Sequence, residues 1–61
     1  MWQNWSLFKS DVDNLGGLAI VSNLSGFRLS TLSAWYSGSR IPHIISRDGI
    51  AVAMGFPPGR Y

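Results

Sequence analysis

His43 is the only histidine of the chain, and with Asp48 and a serine it supplies the residue types of a hydrolytic triad. Types alone are not enough. A working triad also needs a nucleophile presented on a strained turn and backbone donors for the oxyanion. The sequence contains no nucleophile elbow and no oxyanion loop, and 61 residues leave little room for a substrate pocket. Asp11, Asp13 and Asp48 show no pairing that would serve acid–base chemistry. A dedicated zinc site draws its ligands mainly from cysteine and histidine, and the chain has no cysteine and a single histidine. Gly16-Gly17 follows no clear strand and matches no phosphate-binding loop. The expectation is a protein that is not an enzyme, with no catalytic residue, metal, cofactor or small-molecule substrate. His43, which follows Pro42 at a helix start, reads as structural or solvated.

Recognition without covalent chemistry is what remains, and the residues suited to it are arginines and serines. Net charge is only +2, but it is unevenly spread. Asp11 and Asp13 lie near the start, whereas Arg28, Arg40, Arg47 and Arg60 lie later and are opposed there by Asp48 alone. Arg47 reads as a structural partner of Asp48 or Asp11. Between Gly26 and Pro42 the sequence GFRLSTLSAWYSGSRIP contains Arg28 and Arg40 and no acidic residue. Ser30, Ser33 and Ser37 fall on one helical face with Ala34 between them, a small uncharged surface suited to close approach to a nucleic-acid groove.

Those residues need elements to position them. In WSLFKSDVDNL, Trp5, Phe8, Val12 and Leu15 recur at three-and-four spacing, which predicts a helix ended by Gly16-Gly17. LAIVSNL makes two turns if helical, although Ile20 and Val21 would also suit a strand. LSTLSAWYS places Leu29, Leu32, Trp35 and Tyr36 on one stripe, and Gly38 stops it. In PHIISRDGIAVAMGF, Ile44, Ile45, Ile50, Ala51 and Met54 share a broad face. Gly49 within it costs about 1 kcal/mol relative to alanine and predicts a weak point or bend. Pro57-Pro58 prevents continuation, and PPGRY reads as a loose tail. The fold expected is all-α: a compact bundle of about four to five short helices over residues 1–56, followed by a C-terminal tail over 57–61. The core expected is Phe8, Val21, Leu24, Leu32, Trp35 and Ile45.

Two short helices joined by a glycine-containing turn define a helix-turn-helix. The run VSNLSGFRLSTLSAWYSGSRIP resembles that of the lambda-repressor and Cro class of phage and bacterial regulators, over roughly Leu15 to Gly55. Gly26 stands at the turn glycine of that class and Phe27 at the apolar residue after it. Leu32 and Trp35 match the buried positions of the recognition helix, and Ser37-Gly38-Ser39-Arg40 the break that follows. Three positions depart from the class: Ser22 stands for an alanine, Leu18 for a glutamine, and Leu29 for a polar base-reading residue. The resemblance implies a helix-turn-helix regulator of transcription, a Cro-type repressor acting by operator occupancy on double-stranded DNA. It implies base contacts from Arg28, Leu29, Ser30, Ser33 and Ala34, and backbone contacts from Leu18, Ser37, Ser39 and Arg40.

One module of this size reads few base pairs, so a symmetric, weak homodimer on a palindromic site is the economical design. Trp2, Trp5, Met54 and Phe56 are the candidate dimer contacts, because a chain this short has few residues to cover them. The tryptophans could equally cap the core. No apolar run approaches the roughly 20 residues that span a bilayer, and the N-terminus does not read as a signal peptide, so the expectation is a cytoplasmic protein with no membrane partner. A second reading stays open: a small helical protein-interaction module, such as a phage-encoded inhibitor of a host protein. The low net charge, the three N-terminal aromatics, and Leu18 and Leu29 at normally polar positions favour it.

Overall fold

Four helices form in the order the apolar spacing dictates: α1 (Trp5–Leu15), α2 (Leu18–Ser25), α3 (Leu29–Ser37) and α4 (Ile44–Ala53). The structure, a computed structural model, describes residues 2–61, which contain no strand. α2, whose β-branched residues left a strand open, is helical; it packs against α1, α3 and α4 and buries Val21. Each of the first three helices stops at a glycine in the left-handed region, and at Gly26 (φ 77°) and Gly38 (φ 81°) this reversal sets the two ends of α3. A residue with a Cβ would be strained at either point. α4 runs unbroken through Gly49. Phe27 lies beside that glycine, its Cζ 3.8 Å from where a Cβ would stand.

The core is one cluster. Phe8, Val12, Val21, Leu32 and Ile50 have no solvent exposure, and Trp2, Trp35, Ala51, Met54 and Tyr61 complete it. Each fully buried large side chain contributes roughly 1.5–3 kcal/mol relative to an exposed one. Phe8, Val21, Leu32 and Trp35 thus lie where the spacing put them. Leu24 and Ile45 do not, being 56% and 75% exposed. Helical geometry supplies the reason. Leu18, Val21, Ser22 and Ser25 are the covered residues of α2, and Leu24 projects about 110° from the middle of that side. On α4, Ile50, Ala51 and Met54 define the inward face, and Ile45 projects about 140° away from Ile50. The inward position one turn before Ala51 is taken by Arg47, whose Nε is buried without a partner.

The C-terminal segment is a structural element, not the loose tail expected. Tyr61 is buried against Phe8 (ring centroids 5.4 Å apart, edge-on) and Trp2 (6.2 Å, edge-on). Its hydroxyl donates to Asp11 Oδ2 at 2.7 Å, and its carbonyl accepts from Asn4 Nδ2. Arg60 grips the same carboxylate with two bonds, Nε to Oδ2 at 2.7 Å and Nη2 to Oδ1 at 3.0 Å, while its guanidinium lies over Phe56. Asp48 accepts from the Gly59 amide. Asp11 therefore pairs with Arg60, not with Arg47. The Arg60 hydrogen bond outweighs burial and holds the Asp11 carboxyl below its ordinary range. Burial, reinforced by the bond to Asp11, pushes the Tyr61 phenol above its own.

Folding back of the tail also relocates the aromatics assigned to a dimer contact. Trp2 and Met54 are buried in the core, and Trp5 and Phe56 are partly buried against it. Tyr61 covers Trp2 and reaches Met54 with its hydroxyl, Arg60 lies over Phe56, and Trp5 is held by the Tyr36 carbonyl with Lys9 over its ring. Among the described residues no helix is long and apolar enough to cross a membrane.

Candidate nucleic-acid interface

α3 is the element on which most of the candidate contacts sit, and the rest of the molecule is built to hold it by both ends. At its start, the connection Gly26–Arg28 is tied by two serine bonds to Phe27, and a third fixes Ser25 within α2. Ser22 Oγ donates to the Phe27 carbonyl at 2.7 Å, Ser25 Oγ donates to the Val21 carbonyl at 2.7 Å, and the Phe27 amide donates to Ser25 Oγ. Ser22, at the position where an alanine is usual in the resembled class, is thus a working part of the turn. Phe27 then packs edge-on against Trp35, ring centroids 5.4 Å apart.

At its end, helix geometry leaves the last four carbonyls of α3 without intrahelical partners. Ala34 accepts from Ser37 Oγ, Ser39 Oγ and the Arg40 amide. Trp35 accepts from Trp2 Nε1 at 3.1 Å and from the Gly38 amide, and Tyr36 accepts from Trp5 Nε1 at 2.8 Å. The two N-terminal tryptophans therefore cap the C-terminus of α3 with their indole N–H groups. Tyr36 adds a strut to α1, its hydroxyl donating to Asp13 Oδ1 at 2.7 Å, a bond that raises the phenol above its ordinary pKa. Lys9 lies over the ring of Trp5, 4.1 Å from its centroid.

Held this way, α3 turns Leu32 and Trp35 inward and leaves Leu29, Ser30, Ser33 and Ser37 exposed, with Ala34 half-buried beside them. Arg28 and Arg40, both exposed, flank the face at its two ends. Two aspartates lie elsewhere, Asp11 in its partly buried ion pair and Asp48 on the tail, while Asp13 meets α3 at the Tyr36 hydroxyl. Within residues 26–42 the only charged side chains are the two arginines, and Asp13 alone among the aspartates meets this stretch, at Tyr36.

Two groups of candidate contacts sit differently from a simple surface role. Leu18 packs against the core, so any phosphate contact there falls to its backbone amide at the first position of α2. Ser37 and Ser39 point back to Ala34 and lie 3.0 Å from each other, so their first task is to fold the connection that carries Arg40. His43 caps α4, its Nδ1 accepting the Ile45 amide at 3.2 Å, which is the structural role its position suggested. Among the described residues no group of three or more histidine, cysteine or carboxylate side chains comes together to hold a metal ion.

Sequence reasoning missed the capping by Trp2 and Trp5. The only signal was the presence of two indoles in a chain too small to bury both completely, and that signal does not name their acceptors. No protein-family model, curated protein or solved structure matches the chain.

Proposed function

We propose that this chain is a minimal helix-turn-helix DNA-binding regulator in which α2 braces and α3 enters the major groove. The observation that carries the reading is the exposed face of α3: small, uncharged, flanked by Arg28 and Arg40, and held at both ends. A groove-reading helix needs those properties together. Small residues let the helix approach base edges, flanking cations meet phosphates, and fixed ends hold the register. Arg28, Leu29, Ser30, Ser33 and Ala34 meet base edges, and Arg40 anchors the backbone. Regulation follows from occupancy, because a protein seated on an operator excludes polymerase from the same DNA. A second copy on a palindromic site doubles the base pairs read.

The test is a gel shift against the DNA upstream of the protein's own coding sequence, at two salt concentrations. Sequence-selective binding that weakens steeply with salt is the expected result. No binding at micromolar protein contradicts the reading.

One observation favours the second reading, a protein-interaction module. Ile41, Ile44, Ile45 and Val52 are 69%, 58%, 75% and 55% exposed, more aliphatic surface than DNA contact alone requires.

A further inference from the structure

Ile44, Ile45, Asp48 and Val52 stand three and four apart along the outer side of α4, within about 100° of arc, and Asp48 lies nearest the middle. Each of the three aliphatic residues exposes more than half of its surface. Together they expose on the order of 350 Å², the size at which a surface patch is often functional. The Asp48 carboxylate, partly exposed, is the one group that gives this row a specific chemistry. Its Oδ1 accepts from the Gly59 amide at 2.9 Å, a neutral donor. No cation of the described residues pairs with it, because the ion pair they form is that of Arg60 with Asp11. Arg47, its neighbour in sequence, is turned inward with its Nε buried.

We infer that this row is a docking face for an amphipathic helix of another protein, one whose aliphatic stripe carries a lysine or arginine at its centre. The inference deepens the protein-interaction reading and rests on it; it needs no DNA. Spacing gives the form of the partner. Side chains three and four apart make ridges that fit the grooves of a second helix laid alongside. Charge gives its chemistry. Docking takes the Asp48 carboxylate out of water, and a carboxylate so covered needs a cation opposite it, since a purely aliphatic partner would leave a buried charge unpaired. The same carboxylate turns away a second copy of this chain. A two-fold axis through the middle of the row sets Asp48 against its own image, and like charges in that position oppose association. Area gives the strength. Two matched faces bury on the order of 700 Å² in total, below the size of a permanent interface and right for a transient one.

A displayed library of helical peptides about 20 residues long, randomised along one stripe and selected on the intact chain, tests it. The enriched peptides are expected to carry aliphatic residues three and four apart around a lysine or arginine, and to bind with a micromolar to sub-millimolar Kd. They should bind Ile45→Gln at least roughly tenfold more weakly, and that change, at an exposed site, should leave the fold intact. Replacing their central cation by glutamate should lose at least roughly tenfold against wild type and much less against Asp48→Asn, which keeps an oxygen for the Gly59 amide. Peptides enriched without a central cation, or an equal loss against wild type and Asp48→Asn, overturn the inference. Peptides that bind Ile45→Gln as well as wild type sit elsewhere; they overturn it too but leave the interaction reading standing, whereas no enrichment at all contradicts both. Self-association that Ile45→Gln relieves, with no peptide bound, gives the face to a second copy and overturns it as well.

Discussion

Arg60 closes on Asp11 across 49 residues of sequence, its Nε 2.7 Å from Oδ2 and its Nη2 3.0 Å from Oδ1. Tyr61 donates to the same carboxylate from inside the core. A carboxylate on α1 thus holds the final residues over Phe8 and Trp2. Loss of this anchor should loosen the core. Asp11→Asn keeps the shape but removes the charge, and hydrogen bonds to a charged group contribute roughly 1.5–3 kcal/mol each. The expected outcome is a clear fall in the urea midpoint, measured by tryptophan fluorescence. An unchanged midpoint would mean that the tail adds nothing to stability.

The same cluster sets the pH response. The Asp11 carboxyl is lowered in the folded protein, so its contribution is fully present above the unfolded carboxylate pKa, about 3.9. It is lost as pH falls through the lower, folded value. The Tyr61 phenol is raised, so its contribution is present below the unfolded phenol pKa of about 10 and is lost as pH rises beyond it. Thermal melts should therefore show a plateau between these limits. Tyr61→Phe should abolish the part of the alkaline loss that belongs to this phenol, and Asp11→Asn the acid loss that belongs to this carboxyl. Wild-type slopes retained in both variants would place the titrating groups elsewhere.

Trp35 joins three tasks: it packs on Phe27, fills the core, and offers its carbonyl to the Trp2 indole. Trp35→Ala removes the ring and should cost roughly 3–5 kcal/mol. A domain of this size has about 5 kcal/mol to lose, so the variant should be largely unfolded by circular dichroism. A native-like melt would contradict the packing described.

On the face of α3, Ser33→Glu should leave the fold intact, because Ser33 is exposed, and should abolish DNA binding by placing a carboxylate against phosphate. Arg40→Ala should weaken binding to every sequence alike and reduce the salt slope by about one counterion. Arg28→Ala should in addition relax base preference at one position, by roughly 1–3 kcal/mol. Identical sequence preference in both arginine variants would assign Arg28 to the backbone as well.

Leu29 opens α3 and is 48% exposed. An apolar residue at a groove-facing position has one partner of its own kind there, the thymine methyl group. Replacing single thymines by uracil in a bound duplex removes only that methyl. One position should weaken binding to wild type but not to Leu29→Ala. Uniform affinity across all uracil duplexes would remove Leu29 from the base contacts.

The four helices were legible because glycines cut the chain where apolar periodicity breaks, and the inward residues Phe8, Val12, Leu32 and Trp35 followed from that periodicity. Leu24 and Ile45 were misplaced for a common reason: an aliphatic residue beside a buried stripe reads as part of it until the neighbouring helices fix which side is covered. The tail was misread because PPGRY is, by local composition, a loose end, and only the distant Asp11 and Phe8 turn Arg60 and Tyr61 into an anchor. The same long range hid the tasks of Trp2 and Trp5. The face of α3 was legible as a pattern of small residues between arginines. The bonds of Ser37 and Ser39 to Ala34 were not, because they depend on the turn at Gly38.

The most direct measurement of the central claim is amide chemical-shift mapping of the isotopically labelled protein titrated with a short duplex from its upstream DNA. The DNA-binding reading expects the largest shifts over Arg28–Arg40, with smaller ones at the start of α2, while the amides around Asp11 and Tyr61 stay in place. No shifts at saturating duplex, or shifts centred on α1 and the tail with residues 28–40 unmoved, would contradict it.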